Sequence, residues 1–226
     1  MRIKGVIPVR AGSVRVKNKN IRPFAGSSLL RIKINQLQRM PQLDGVIVLS
    51  DSPDMLSLAK SLGCKTIKLD KFHASAAATA NEVFYNTAKL SDTDVMVHAC
   101  VTSPNLKDET LENAINFFLD NMDKYDSINS GKLVKEFLFL DDKPINHNLD
   151  EHPKSQNLPD IISRIPAFSI IKRETMMKRK SNCGKKMKLL LVDPYEAIDI
   201  DEQIDFDFAE FIYKKMDNNS HKTEKS

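Results

Sequence analysis

Residues 45–69 read GVIVLSDSPDMLSLAKSLGCKTIKL, and their pattern decides the fold class. The β-branched run GVIVLS (45–50) reads as a strand. SPDMLSLAKSL (52–62) reads as a helix, with Ser52 placed to cap it and Pro53 at its first position. CKTIKL (64–69) returns to a short extended run. A strand, a helix and another strand in succession argue for parallel strands joined through the helix.

Working outward, the same alternation recurs. GVIPV (5–9) is a strand candidate, followed by a basic loop and an amphipathic stretch from Ser28 to Arg39. A helix is expected over 79–89, the apolar run DVMVHACV (94–101) is a buried strand, and KDETLENAINFFLDNM (107–122) is a well-patterned helix. This predicts an α/β fold: a mostly parallel sheet with helices on both faces and its ligand at the carboxyl ends of the strands. The rhythm breaks after residue 130. Residues 132–148 read as a strand and a turn, and 141–160 is polar, with prolines at 144, 153 and 159. A strand at 167–171, a helix near 173–180, a strand at 187–192 and a helix from Glu202 to Met216 follow. Residues 1–216 are expected as one domain and 217–226 as a frayed polar tail. No internal repeat or low-complexity tract interrupts the chain.

The chain has 226 residues, 41% hydrophobic and 28% charged, with 34 basic against 30 acidic residues and a net charge of +4. That balance is too mild for wholesale nucleic-acid binding, so the placement of charge matters more than its sum. Cys64, Cys100 and Cys183 are odd in number and widely spaced, which suggests neither a disulfide framework nor a zinc site. His98 and Cys100 share a strand face, but zinc wants more ligands nearby. No segment approaches the length of a membrane span, and Met1 leads straight into a strand-like run. The expectation is a cytoplasmic protein.

The stretch IPVRAGSVRVKNKN (7–20) follows the first strand. It joins a small-residue turn, Ala11–Gly12–Ser13, to Arg10, Arg15, Lys17 and Lys19 without an acidic residue. Such a run can be a solvated surface. At a strand end of an α/β pattern it is better read as an anion cradle, built from main-chain N–H groups and guanidinium forks. Neither GxxxxGKS/T nor GxGxxG is present. At the other end, AIDIDEQIDF (197–206) alternates Asp199 and Asp201 with Ile198 and Ile200, which puts both carboxylates on one side of an extended segment. Asp201 could cap the following helix, or the pair could share a cation beside phosphates.

IPVRAGSVRVKNKNIRPFAG resembles the N-terminal signature of CMP-sialic acid synthetases and related cytidylyltransferases, IPARxGSKxIPxKNxxPxxGxPL. Arg10, Gly12, Ser13, Lys19, Asn20, Pro23, Gly26 and Leu29 fall in step. The resemblance spans about residues 3–212. It implies a Rossmann-like nucleotidyltransferase fold with a small dimerisation arm over 132–160, a homodimer, and transfer of CMP from CTP to a 2-keto-3-deoxy sugar acid with release of pyrophosphate. It further implies that Arg10 and Lys19 serve the phosphates and that Gly12, Ser13 and Asn20 shape the nucleotide loop. IDID matches the family's IDIDTxxDL, so Asp199 and Asp201 would hold catalytic Mg2+, with Asp201 required for turnover. VIVLSDSPDML resembles IVSTDxxEI, placing Ser50 and Asp51 near the nucleotide, although Asp51 could equally cap the loop. Ala74 and Ser75 fit a base-reading segment, RPxxLAxDxA, whose Arg and Asp are absent. Cys100 replaces the Gln of LLQPTSPLR, Ser103 matches, and Arg164 corresponds to the Arg of RxNGAIY; these are the expected sugar contacts. Val14 stands where the family has Lys, which bears on the contact to the leaving group, with Arg15 following it. Pro166-Ala167 replaces Asn-Gly, so the sugar is expected to differ from ordinary sialic acid. Two alternatives are a nucleotidyltransferase with another nucleotide or sugar, and a catalytically weak nucleotide-sugar binding protein.

Overall fold

The structure, a computed structural model, describes residues 1–13 and 15–223, with side chains through Met216. Val14 and the last three residues of the expected tail lie outside it. The 45–69 unit forms as expected. Strand β1 (Ile3–Pro8) pairs with β2 (Val46–Ser50), which pairs with β3 (Lys65–Lys68), all parallel. Helix α1 (Leu29–Gln38) starts at Ser28, whose hydroxyl accepts from the Arg31 N–H. Helix α2 (Pro53–Ser61) starts at Ser52, which accepts from the Met55 N–H. Helix α3 (Ala80–Leu90) opens with a reciprocal capping box between Thr79 and Glu82. Strand β4 (Val95–Ala99) lies parallel to β1 on its other side.

Helix α4 (Asp108–Asp120) leads to the part the sequence rendered least well. Strand β5 spans Ser127–Val134, so the first residues assigned to the arm belong to the sheet. A small hairpin, β6 (Phe139–Leu140) and β7 (Lys143–Pro144), follows. Strand β8 runs Ile161–Lys172, well beyond the expected 167–171. Its first half exposes Ile162, Arg164 and Pro166, a side that mixes apolar, charged and proline residues and so hid its strand character; the register shifts between Asn129 and Gly131 at that point. Gly131 is needed there, because a Cβ would sit 2.6 Å from a methyl of Ile162. Helix α5 (Arg173–Arg179), strand β9 (Met187–Leu191) and helix α6 (Gln203–Thr223) complete the chain. α6 therefore runs through most of the segment expected as a frayed tail.

The sheet order is β3-β2-β1-β4-β8-β5-β9. Only β8 runs antiparallel to its neighbours, β4 and β5. Apolar residues of α1, α2, α4 and α6 fill one face of the sheet, and α3 and α5 cover the other. The chain leaves β1 toward β2 and later returns to β4, so the crevice between the carboxyl ends of β1 and β4 is the topological switch point where ligands collect. Among the described residues no helix is long and apolar enough to cross a membrane.

One feature beneath that crevice defies helix patterning. Lys33, on α1, is fully buried. Its ammonium donates to the Gln36 side-chain oxygen at 2.6 Å and to the Ser103 carbonyl at 3.0 Å. Gln36 in turn donates to the Leu106 carbonyl at 2.6 Å and to Asp108. A buried polar network thus supports residues 103–108 from below. Burial lowers the Lys33 pKa to about 8, against the attraction of Cys100 and Asp108. Between about pH 8 and its ordinary 10.5 the unfolded chain binds more protons at this lysine than the folded one, so stability rises with pH there. Relative to Lys33→Met, the wild type should gain up to about 3 kcal/mol across that window. Urea unfolding of both proteins at several pH values measures it, and a pH-independent difference would refute the claim.

Candidate active site

The loop after β1 is held by its ends. The Ala11 N–H donates to Asp51 at 2.8 Å, and the Asn20 side-chain amide donates to the Arg10 carbonyl at 3.2 Å. Asn20 is buried, and its own carbonyl accepts from the Leu30 N–H, which fixes the loop to α1. Gly12 adopts φ +76°, a backbone conformation that side chains disfavour. Val16 is buried in the main core, so the basic side chains around it are turned outward from an anchored turn.

The segment before α6 meets this loop. Ile200 is fully buried; its N–H donates to the Thr102 carbonyl at 2.9 Å, and its carbonyl accepts from the Lys19 ammonium at 2.5 Å. The buried Glu196 accepts from the Lys107 N–H and the Thr110 hydroxyl, both at 3.0 Å. One strip of chain is therefore sewn to the loop after β4 and to the loop after β1. Asp199 and Asp201 flank the pinned Ile200. Asp201 forms an exposed ion pair with Arg15 at 2.8 Å. Its carboxylate is thus engaged with Arg15, and Asp205 in the first turn of α6 reaches back to accept from the main-chain N–H groups of Asp201 and Glu202, as the third-position acid of a capping box does. Burial pushes the Asp199 carboxyl up, and the charges of Asp201 and Asp205 add to this, while the Thr102 hydroxyl and Lys19 oppose it. One Asp199 oxygen is buried without a hydrogen-bond partner. An orphaned carboxylate oxygen beside a second carboxylate is a donor set for a hard cation.

Three cavities converge here. The first, of about 460 Å³, is lined by Arg10, Ser13, Arg15, Lys19, Cys100, Thr102 and Asp201, among others. The second, also about 460 Å³, shares Pro8, Val9 and Arg10 with the first and extends over Leu69, Ser75, Phe84 and His98. The third, about 830 Å³, is lined by Arg164, Pro166, Asp199, Asp205 and Phe208, with Leu133 and Leu191. Asp201 opens on the first cavity and Asp199 on the third, so the acidic pair stands at their boundary. The arrangement suits a long polyanion in the first cavity, a flat apolar-walled group in the second and a carboxylic acid near Arg164 in the third.

The sequence-predicted residues distribute as follows. Arg10, Ser13, Lys19 and Asp201 gather around the first cavity, while Gly12 and Asn20 shape its loop. Asp51 anchors the loop through Ala11. Ser50 is fully buried, with its hydroxyl accepting from the Ser52 N–H, and so serves the turn into α2. Ser75 lines the second cavity, and Ala74 is packed beneath it in the smaller core. The three expected sugar contacts are not brought together. Cys100 lines the first cavity, its thiol 3.0 Å from the Thr102 hydroxyl. Ser103 is buried over Lys33, and Arg164 lines the third cavity. Sequence reading missed Lys33, because a lysine on an amphipathic helix signals solvent. It passed over Thr102 and Asp205 as roles, although the PTSP match and the third position of α6 held the signal.

A family model described as cytidylyltransferase matches residues 5–219. The chain is 24% identical to the pseudaminic acid cytidylyltransferase of Campylobacter jejuni, over 92% of this chain and 95% of that one. It is 24% identical to the N-acylneuraminate cytidylyltransferase of Escherichia coli, over 95% of this chain and 52% of that one. Among solved structures, CMP:2-keto-3-deoxy-manno-octonic acid synthetase complexed with CTP superimposes with a TM-score of 0.70 at 11% identity, covering 96% of this chain and 100% of that one.

The Asp51–Ala11 contact gives a test of loop order. Asp51→Ala removes a charged hydrogen bond of about 1.5 kcal/mol. It should weaken pyrophosphate binding about tenfold while leaving the far-UV circular dichroism unchanged. Calorimetric titration reads the first, and unaltered affinity would show that the loop orders without Asp51.

Proposed function

The chain belongs to the cytidylyltransferase family and is a nucleotidyltransferase; from that premise we propose that it transfers CMP from CTP to a sialic-acid-like 2-keto-3-deoxy sugar acid. The carrying observation is the pair of cavities that share Pro8, Val9 and Arg10, one cationic and one apolar-walled, with Asp199 and Asp201 at the boundary to a third. On this reading the triphosphate lies against the loop after β1, the base in the second cavity and the sugar acid in the third. The anomeric hydroxyl oxygen bonds to the α-phosphorus, the bond to the β-phosphate oxygen breaks, and pyrophosphate leaves, the hydroxyl proton passing to the departing pyrophosphate or to solvent. Arg10 and Lys19 offset charge growing on the leaving group, a contribution worth most where donors are already fixed. Lys19 is so fixed through Ile200. Arg164 supplies a fork for the acceptor's carboxylate. The printed names of the relatives, pseudaminic acid and N-acylneuraminate, support an acceptor of this class.

Asp199 and Asp201 would hold Mg2+, which supplies charge neutralisation on the phosphates. Among the described residues no three His, Cys, Asp or Glu side chains gather into a metal cage of their own. Two carboxylates completed by substrate phosphates is the usual manner for this ion. The exposed Arg15–Asp201 pair is of the weak kind that an incoming cation and phosphate can rearrange.

A homodimer and a cytoplasmic setting are part of the proposal. Phe139, Leu140, Ile145 and Leu149 are all more than half exposed on the excursion between β5 and β8, a contiguous apolar display of the kind that marks an association surface.

Two experiments test the reading. Pyrophosphate release should appear with CTP, Mg2+ and a sialic-acid-like acceptor, fall at least about a hundredfold in Asp201→Ala, and vanish on chelation. Silence across CTP, UTP, GTP and ATP with several such acids would remove the enzymatic reading in favour of a binding protein. Light scattering should give a dimer that Leu140→Asp with Ile145→Asp converts to a monomer; a wild-type monomer would dismiss the arm.

A further inference from the structure

His98 lies on β4 with its side chain at the second cavity, on the sheet face covered by α3. Its ring meets the edge of Phe84, with centroids 5.8 Å apart and planes at 67°. The other walls are largely hydrocarbon, from Leu69, Ala76, Ala78 and Val83. Apart from Arg10 on the wall shared with the cationic site, the other polar side chains that line the cavity, Ser75 and His73, are already engaged. The Ser75 hydroxyl donates to the Phe72 carbonyl and accepts from the Ala77 N–H. His73 bonds Asp70 through Nδ1 at 2.7 Å. Burial drives the His98 pKa down to about 4; a bond to its own main chain opposes this and the Arg164 charge adds to it. The imidazole is therefore neutral at ordinary pH, with one N–H and one lone pair. The nitrogen that carries the lone pair can accept a hydrogen bond from a group in the cavity.

We propose that His98 is a specificity-determining residue of the nucleotide site, its lone-pair ring nitrogen accepting a hydrogen bond from the exocyclic amine of cytosine and so favouring CTP over UTP. This rests on the CTP-dependent reading above and adds to it the group that reads the base. Uracil presents a carbonyl oxygen at the same edge, so two acceptors would face each other between largely hydrocarbon walls, and a polar group left unpaired there is disfavoured. The resemblance supplies no substitute, since the Arg and Asp of the family's base-reading segment are absent from 72–82. The cavity's shared wall with the cationic site, at Pro8, Val9 and Arg10, is what connects a base here to phosphates there.

Calorimetric titration of CTP and of UTP, with Mg2+, into the full-length wild type, His98→Leu and His98→Gln gives the test. The wild type should prefer CTP. His98→Leu should lose about tenfold in that ratio, by weaker CTP binding or by stronger UTP binding. His98→Gln, whose amide oxygen can accept, should keep most of it, and thermal melting of each variant verifies folding. If the wild type prefers CTP and His98→Leu keeps the ratio, or if both affinities fall equally, His98 is a packing residue and the proposal fails while the enzymatic reading stands. A change in sugar-acid affinity alone would likewise overturn it. A wild type that binds neither nucleotide overturns both readings together.

Discussion

The candidate site depends on how the main chain of Ile200 is held. Its side chain is fully buried, its N–H is given to Thr102 and its carbonyl is taken by Lys19. These contacts join chain segments that are remote in sequence, the loops after β1 and β4 and the approach to α6. Because neighbouring side chains on an extended segment project away from a buried one, fixing Ile200 also fixes where Asp199 and Asp201 can reach. The orphaned oxygen of Asp199 is tolerable only in such a frame, since an unpartnered buried carboxylate would otherwise turn toward solvent or be neutralised.

The same frame is braced from beneath by groups with nothing to do with chemistry. Lys33 and Gln36 reach up from α1 to the carbonyls of Ser103 and Leu106, and Asp108 ties Gln36 to Arg39. Burying an ammonium is costly, and an apolar core could stabilise α1 more. What the lysine provides instead is direction: it satisfies main-chain oxygens of an irregular segment that passes over the core, where no sheet or helix partner is available.

Legibility in the sequence followed the range of the interactions. The unit at 45–69 was readable because caps and alternation are local: Ser52, Pro53 and the β-branched runs all lie within a few residues of what they specify. The Arg10–Asn20 loop and the IDID segment were readable as motifs, and the structure brings them to one cavity. The first half of β8 was not readable. Its pairing with β5 crosses a register shift, and its exposed side is Ile162, Arg164 and Pro166, so exposure alternates along the strand while polarity does not. Nor could the sequence tell that Ser50 and Ser103 would be buried while Cys100 and Arg164 open on different cavities. Burial of Ser103 depends on what packs against it from a distant segment, here Lys33, whereas the Ser50 hydroxyl is taken up by the turn into α2 two residues on.

The departures from the family pattern then acquire a common logic. Residues that match, such as Asn20, Asp51, Thr102 and Asp201, either tie main chain together or stand at the boundary of the cationic cavity. Those that differ, Cys100 and Pro166 with the alanine-rich 74–80 stretch, have cavity-facing positions. A scaffold change would cost folding free energy wherever the main chain is buried, whereas a cavity-facing change alters only what fits. On the proposed reading, phosphoryl transfer needs the first group of residues and is indifferent to the second. The pattern is that of a transferase keeping its phosphate chemistry while its contacts to base and sugar are rebuilt around different side chains.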